Sequence, residues 1–415
     1  MKKILFFIIF ITFFSLHINS AAFVTTAASV AWAGAYASIA DGFEAMLYNP
    51  AGLYMTNRRF GLNVFGSYGF RFYNNTLSTD HVLKIFGSKE SDLTQFIADR
   101  LNGMTDMGFD IGLDFSMMNF MFYIKYEKFS FGFSFLPKTY SKITIGKSLF
   151  QAIGQKLDLT NPLNLKISAT FLQYVDMNFN LSARPAFLEK FIPVEAIFVG
   201  ATGHFYLPTV LLSVVTSGDI KKGTPNSTGI NTFDISLKGD VNVGGMVPHI
   251  LSQSGLKTGF AALDDAISKS QSTGFGLGLD LGFIVKFNKI VKLGFSMTDI
   301  GFISIPQSTR LKMDLSKKID FLDMANFTAS FTDDIMNSLG NITNDTAFFY
   351  MMPLAIRCGI AVTPPPNKYF NLIVAADISV SDLNRAVNSE YPAFLFATGI
   401  EFAPKVMWFS LPLRL

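Results

Sequence analysis

Charge is what this sequence has least of. Only 16% of its 415 residues are Asp, Glu, Lys or Arg, where a soluble domain carries roughly 25%. Neither sign dominates. The 34 Lys and Arg against 31 Asp and Glu give a net charge of +3, which leaves no basic excess to neutralise phosphates and argues against nucleic acid as a partner. Cys358 is the single cysteine, so the chain forms no internal disulfide and no cysteine-built zinc site. Histidine is sparse as well. Past the first 22 residues there are His81, His204 and His249, none with a partner at metal-ligand spacing, and no metal or other cofactor is expected.

Long apolar runs are also scarce. A helical membrane span needs about 18 consecutive apolar residues, and beyond the N-terminus only Ala196–Val215 comes close. That run holds Gly200, Gly203, His204 and Pro208 among β-branched residues. A proline costs a helix more than it costs a turn, so two strands meeting in a hairpin near Tyr206–Pro208 are expected instead. Catalytic motifs are missing too. There is no Gly-x-Ser-x-Gly elbow. Lys147 follows Gly146, but Ser141 stands where a phosphate-binding loop needs glycine, and Leu279 breaks the series Gly274, Gly276, Gly278. No enzyme is expected.

What is present is apolar. Hydrophobic residues make up 49% of the chain, 45 of them Phe, and the mean hydropathy is +0.34. Residues 1–22 read as a secretory signal: Lys2 and Lys3, an apolar stretch from Ile4 to Leu16, then Ser20-x-Ala22 as a cleavage site. Further along, apolar residues alternate with small or polar ones. Phe129, Phe131, Phe133 and Phe135 flank Ser130, Gly132 and Ser134. Phe109, Ile111, Leu113 and Phe115 flank Asp110, Gly112 and Asp114. Phe275, Leu277, Leu279, Leu281 and Phe283 flank Gly276, Gly278, Asp280 and Gly282.

Period two gives each strand one oily face and one small or polar face. In a soluble sandwich the oily face would turn inward, but too few charged residues exist to coat such a protein. The pattern therefore predicts an all-β transmembrane antiparallel barrel of about 14 strands, in the outer membrane of a diderm bacterium, with membrane lipid as its surroundings. Asp110, Asp114 and Asp280 are then expected to face the lumen. Residues 88–101, 332–339 and 259–267 carry roughly helical spacing and read as short helices in loops. The domain plan is a signal peptide over 1–22, an N-terminal hatch or plug over 23–56 and the barrel over 57–415.

Residues 34–53, GAYASIADGFEAMLYNPAGL, carry small residues, an Ala-Asp turn, and Asn49-Pro50-Ala51-Gly52, a second turn signature. This opening resembles the N-terminal region of the FadL-like outer-membrane proteins, including their spirochaete paralogues and the secretion-associated PorV proteins. Residues 352–379 resemble the same family in style. The resemblance implies a barrel whose N-terminal segment folds into the lumen as a hatch, with Asn49, Pro50, Ala51 and Gly52 as the hatch motif. It also implies passive transport of a small hydrophobic molecule, such as a long-chain fatty acid or related lipid. The alternative is a PorV-like accessory or surface antigen that holds a protein partner and transports nothing.

Overall fold

The computed structural model describes residues 32, 34–64, 69–74, 109–116, 120–146, 148, 162–224, 232–246, 273–320, 339–365, 369–381, 383, 393–406, 409–410 and 413–414. The signal reading over 1–22 and the three loop helices lie outside these residues, except that Leu339 opens a strand. Among the described residues no helix is long and apolar enough to cross a membrane. The segment ahead of the strands forms a short helix, α1 (Gly42–Tyr48), and a 3-10 turn over Pro50–Met55.

The described strands after it form one antiparallel sheet. Its strands are β1 (Phe60–Asn63), β2 (Gly69–Asn74), β3 (Phe109–Ser116), β4 (Phe120–Lys125), β5 (Phe129–Ile145), β6 (Leu163–Ala183), β7 (Ala196–Lys222) and β8 (Thr232–Gly244). They continue as β9 (Phe275–Lys286), β10 (Val291–Asp320), β11 (Leu339–Met351), β12 (Ala355–Val362), β13 (Phe370–Ser381), β14 (Ala393–Val406), β15 (Phe409–Ser410) and β16 (Leu413–Arg414). The ladder is antiparallel throughout, with β1 paired to β4, β2 to β3, and β5, β6 and β7 paired in sequence. β4 and β3 stack end to end along β5, β9 and β8 along β7, and β12 and β11 along β10. The connectors differ by end. Those at 126–128 and 287–290 are tight, whereas those at 75–108 and 321–338 are long.

The expected hairpin near Tyr206–Pro208 does not form. β7 runs straight through this point, and the extra residue is taken up as a bulge: Gln173 pairs with Val210, and Tyr174 with Pro208. A bulge is where a strand tolerates proline, because the missing N–H costs no ladder bond there.

Alternation sorts the two faces. On β9, Phe275, Leu277, Leu279, Leu281 and Phe283 are 43, 50, 41, 43 and 36% exposed, while Asp280 between them is buried. Phe129 and Phe135 on β5, Phe179 and Leu181 on β6, Phe295 on β10, and Phe394 and Phe396 on β14 are exposed on the same outer face. Further along β6, β8 and β10 the burial pattern inverts. There Leu165, Ile235, Leu237, Met313 and Leu315 are buried together, Leu165 on the same face of β6 as Phe179 and Leu181, and Lys166, Lys238, Lys312 and Asp314 are exposed. Lys238 and Asp314 lie 3.6 Å apart with side chains 71 and 65% exposed.

The sheet is strongly curved. One buried cluster unites Tyr123 on β4 with Ala361, Ala375 and Ala397 on β12, β13 and β14, through Trp32, Tyr36, Met46 and Tyr48 of the N-terminal segment. A second brings the rings of Tyr140 on β5 and Tyr350 on β11 to 5.3 Å. Five ladder steps at about 4.8 Å would separate those strands on a flat sheet. Residues 34–56 lie in the concavity this curvature makes. At the connector between β6 and β7, Arg184 donates to Glu189 with both arms of its guanidinium, at 2.7 and 2.9 Å. Those hydrogen bonds hold the Glu189 carboxyl below its usual range.

Candidate functional site

The N-terminal segment rests on the inner face of the sheet, and the four residues singled out in its sequence form the central contact. Asn49 caps the 3-10 turn, its Oδ1 accepting from the Ala51 N–H at 3.2 Å. Its Nδ2 donates to the Ala37 carbonyl at 2.7 Å and also reaches the carbonyls of Phe295 and Phe283, at 3.3 and 3.5 Å. One amide thus ties two parts of the segment to two adjacent strands. Pro50 supplies the fixed φ that starts the turn. The Ser182 hydroxyl donates to the Ala51 carbonyl at 2.9 Å and accepts from the Tyr54 N–H at 3.2 Å. Gly52 lies against the Ala40 carbonyl, where a Cβ would overlap it.

The wall meets this segment with glycine. Gly132 on β5, Gly200 on β7, Gly282 on β9, Gly294 on β10, Gly359 on β12 and Gly399 on β14 all lie on the inner face. Gly200 pairs with Gly282, and Gly294 with Gly359. A Cβ at Gly200 or Gly282 would run into Asn49, Pro50 or Ala51, and one at Gly294 into the Ala37 carbonyl. The absent side chains are what let a second layer of backbone approach the sheet. On β13 the Asp377 carboxylate accepts from the backbone N–H of Tyr36 and of Ala37, both at 2.6 Å.

Beyond the segment lies a hoop of buried charge. Lys138 on β5 donates to Asp176 on β6 at 2.7 Å. The other oxygen of Asp176 is 2.9 Å from His204 Nδ1 on β7, and His204 Nε2 is 3.0 Å from Asp280 on β9. Asp280 in turn accepts from the backbone N–H of Asp299 on β10 at 2.7 Å. Asp299 reaches it because β10 carries a bulge between Met297 and Ile300, where Asp299 takes φ 62°, an unusual conformation for a non-glycine residue. Arg357 on β12 donates to Thr298 at 2.8 Å and lies 5.8 Å from the ring of Tyr48 in α1. Lys138, Asp176, His204, Asp280, Asp299 and Arg357 are all at least nine-tenths buried.

Of the sequence candidates, Asn49–Gly52 and Asp280 therefore meet the inner face. Asp110 and Asp114 belong to β3, opposite Thr144 and Tyr140 of β5, and their side chains lie outside the described residues, as do His81 and His249. Sequence reading passed over Lys138, Asp176, Asp299, Arg357 and Asp377. Among the described residues no group of His, Cys, Asp or Glu is placed to hold a metal ion. The arrangement holds a polypeptide segment against a polar wall. In comparison with known proteins, a family of unknown function, DUF5723, matches over residues 50–406. No curated protein matches.

Proposed function

The chain belongs to the DUF5723 family of unknown function, and we propose that it is an outer-membrane β-barrel, closed around an N-terminal hatch, that passes small hydrophobic molecules such as long-chain fatty acids. The observation that carries the reading is the outer belt. On β9 it runs from Phe275 to Phe283, close to the roughly 9–11 residues that a tilted strand needs to cross a bilayer. Strands with exposed Phe outside and small polar residues inside suit lipid on one side and a lumen on the other. The tight connectors at 126–128 and 287–290 share one end and the long ones at 75–108 and 321–338 the other, as at the periplasmic and outer ends of such barrels, which supports a periplasmic position for residues 34–56.

The mechanism is capture by the long connectors, passage past the hatch at Asn49–Gly52, and delivery into the bilayer or the periplasm. The test is titration of a long-chain fatty acid into the detergent-solubilised protein, followed by native mass spectrometry. Saturable binding at one or two sites, absent for a short-chain acid, is expected; a folded protein that binds no lipid overturns transport. One observation favours a second reading, in which the protein holds a protein partner. β6, β8 and β10 extend past the belt with charged residues exposed, as at Lys238 and Asp314, and offer a surface in water. A stoichiometric partner cross-linked in intact cells would support it.

Cys358 tests the membrane placement. It is exposed on β12, paired between Phe295 on β10 and Ile378 on β13, which are themselves 40 and 57% exposed. Embedded protein is expected to react with a lipid-soluble maleimide and to resist a charged one, with the difference abolished by denaturation. Rapid reaction with the charged reagent in intact membranes would place this face in water.

A further inference from the structure

We propose that the interior is closed twice, by the N-terminal segment and, separately, by a collar of the wall's own side chains on the far side of the charged hoop. The inference rests on the barrel reading above. Along the inner face of β6 the order is Ser182, which holds the segment, then Asn180, Asn178, Asp176 of the hoop, Tyr174 and Leu172. Tyr174 belongs to a buried cluster with Tyr140, Tyr206, Leu211, Ile305 and Tyr350, drawn from β5, β6, β7, β10 and β11. Tyr140 and Tyr350 meet at 5.3 Å although the ladder sets their strands five steps apart. The cluster therefore spans the interior between those strands with packed apolar side chains, and a packed core of this kind passes no water or ion.

Between the two closures the lining is polar. Ser134 donates to Asn178, and Asn180 to Thr202 at 2.8 Å. Asn178 Nδ2, Asn180 Oδ1 and the hydroxyl of Ser296 are buried without a hydrogen-bond partner. Buried polar atoms left in this state are normally satisfied by internal water, so this layer is a small wet compartment capped at both ends. Each closure touches the charged hoop through side chains. Tyr206 stacks on His204 at 5.5 Å, and Tyr174 meets Tyr206 edge-on at 5.7 Å, while Arg357 faces Tyr48 of the segment. Removing the segment alone does not open a through-pore; a path requires the collar to part as well.

A single thiol in the compartment tests this, as Asn178→Cys in a Cys358→Ser background, reconstituted in one orientation and exposed to a membrane-impermeant maleimide from either face. With the chain otherwise intact, both faces are expected to be protected. After deletion of residues 34–56 the thiol is expected to react from the short-connector face, with labelling from the long-connector face an order of magnitude slower. Because that deletion could impair folding, the reciprocal variant keeps the segment and carries Tyr140→Ala with Tyr350→Ala. It is expected to react from the long-connector face only. Equal labelling from both faces after the deletion overturns the collar while leaving an embedded barrel, as does protection of the reciprocal variant from both faces. A chain that does not enter bilayers overturns the barrel reading and the collar with it.

Discussion

Asp176→Ala is expected to lower stability by about 3–5 kcal/mol, the usual cost of stranding buried charges by removing their partner. Asp176 is fully buried and serves two partners at once, Lys138 at 2.7 Å and His204 at 2.9 Å. Alanine supplies no acceptor to either, and the Lys138 side chain, 6% exposed, has no route to water without moving the strand. Denaturant unfolding of the detergent-folded protein measures the loss. The companion variant, Asp176→Leu with Lys138→Met, replaces the pair by apolar groups of similar volume. Such swaps are often neutral or better, and His204 keeps Asp280 at 3.0 Å, so this double variant is expected to recover the part of the loss that comes from stranding Lys138, and a double-mutant cycle gives the coupling between the two sites. A change within about 0.5 kcal/mol for Asp176→Ala would mark it as an ordinary surface-like substitution and would mean that the hoop does not bear on the fold.

If the double variant recovers stability, the hoop must be retained for another reason. Its members come from six consecutive ladder positions, and each link fixes which residue of one strand stands beside which of the next. A one-residue slip of β6 against β5 would turn Asp176 to the outer face and set a charge among the exposed apolar side chains of Phe179 and Leu181. The hoop therefore penalises wrong registers more than it stabilises the right one.

How far the sequence discloses all this differs from one feature to another. The alternating runs on β5 and β9 were legible because period two leaves a direct trace, and the structure sorts Phe275–Phe283 onto the outer face as that trace implies. The turn at Asn49–Gly52 was legible because Asn, Pro and Gly each have a local backbone reason to be there. The hairpin expected at Tyr206–Pro208 failed because proline punctuates a strand in two ways, by ending it or by bulging it. The parity of the outward residues separates the two: Phe205 and Leu207 are odd, and Leu212 beyond Thr209 is even. The same shift, from Leu293, Phe295 and Met297 to Ile300 and Phe302, marked the bulge that delivers Asp299. Lys138, Asp176 and Arg357 left no trace of this kind. Residues as far apart as 138 and 176 become neighbours only through the register of the ladder, and a single charge on a polar face looks the same in sequence whether water or another charge sits opposite.

Two glycines three residues apart on β7 separate the contribution of the segment's seat from that of the strand. Gly203 is exposed on the outer face, and a Cβ built there meets nothing within 4 Å. Gly203→Val is therefore expected to be neutral within about 0.5 kcal/mol, or slightly stabilising, since it stiffens the unfolded chain and suits a strand. Gly200 is on the inner face, where an added Cβ would overlap the Pro50 backbone and come within 2.5 Å of the Ala51 nitrogen. Those atoms cannot step aside as a side-chain tip would. Ala51 is held through its N–H by Asn49 and through its carbonyl by Ser182, and Asn49 is anchored to Ala37. Gly200→Val must therefore lift the whole turn. Overpacking of this kind costs about 1–3 kcal/mol, and in this protein the cost falls on the segment, because the strand is fixed by ladder bonds to β6 and β9 on either side. Limited proteolysis is expected to cut Gly200→Val within residues 34–56 much faster than the native chain, and Gly203→Val no faster. Equal protection of both variants would mean that the segment does not rest on the glycine wall.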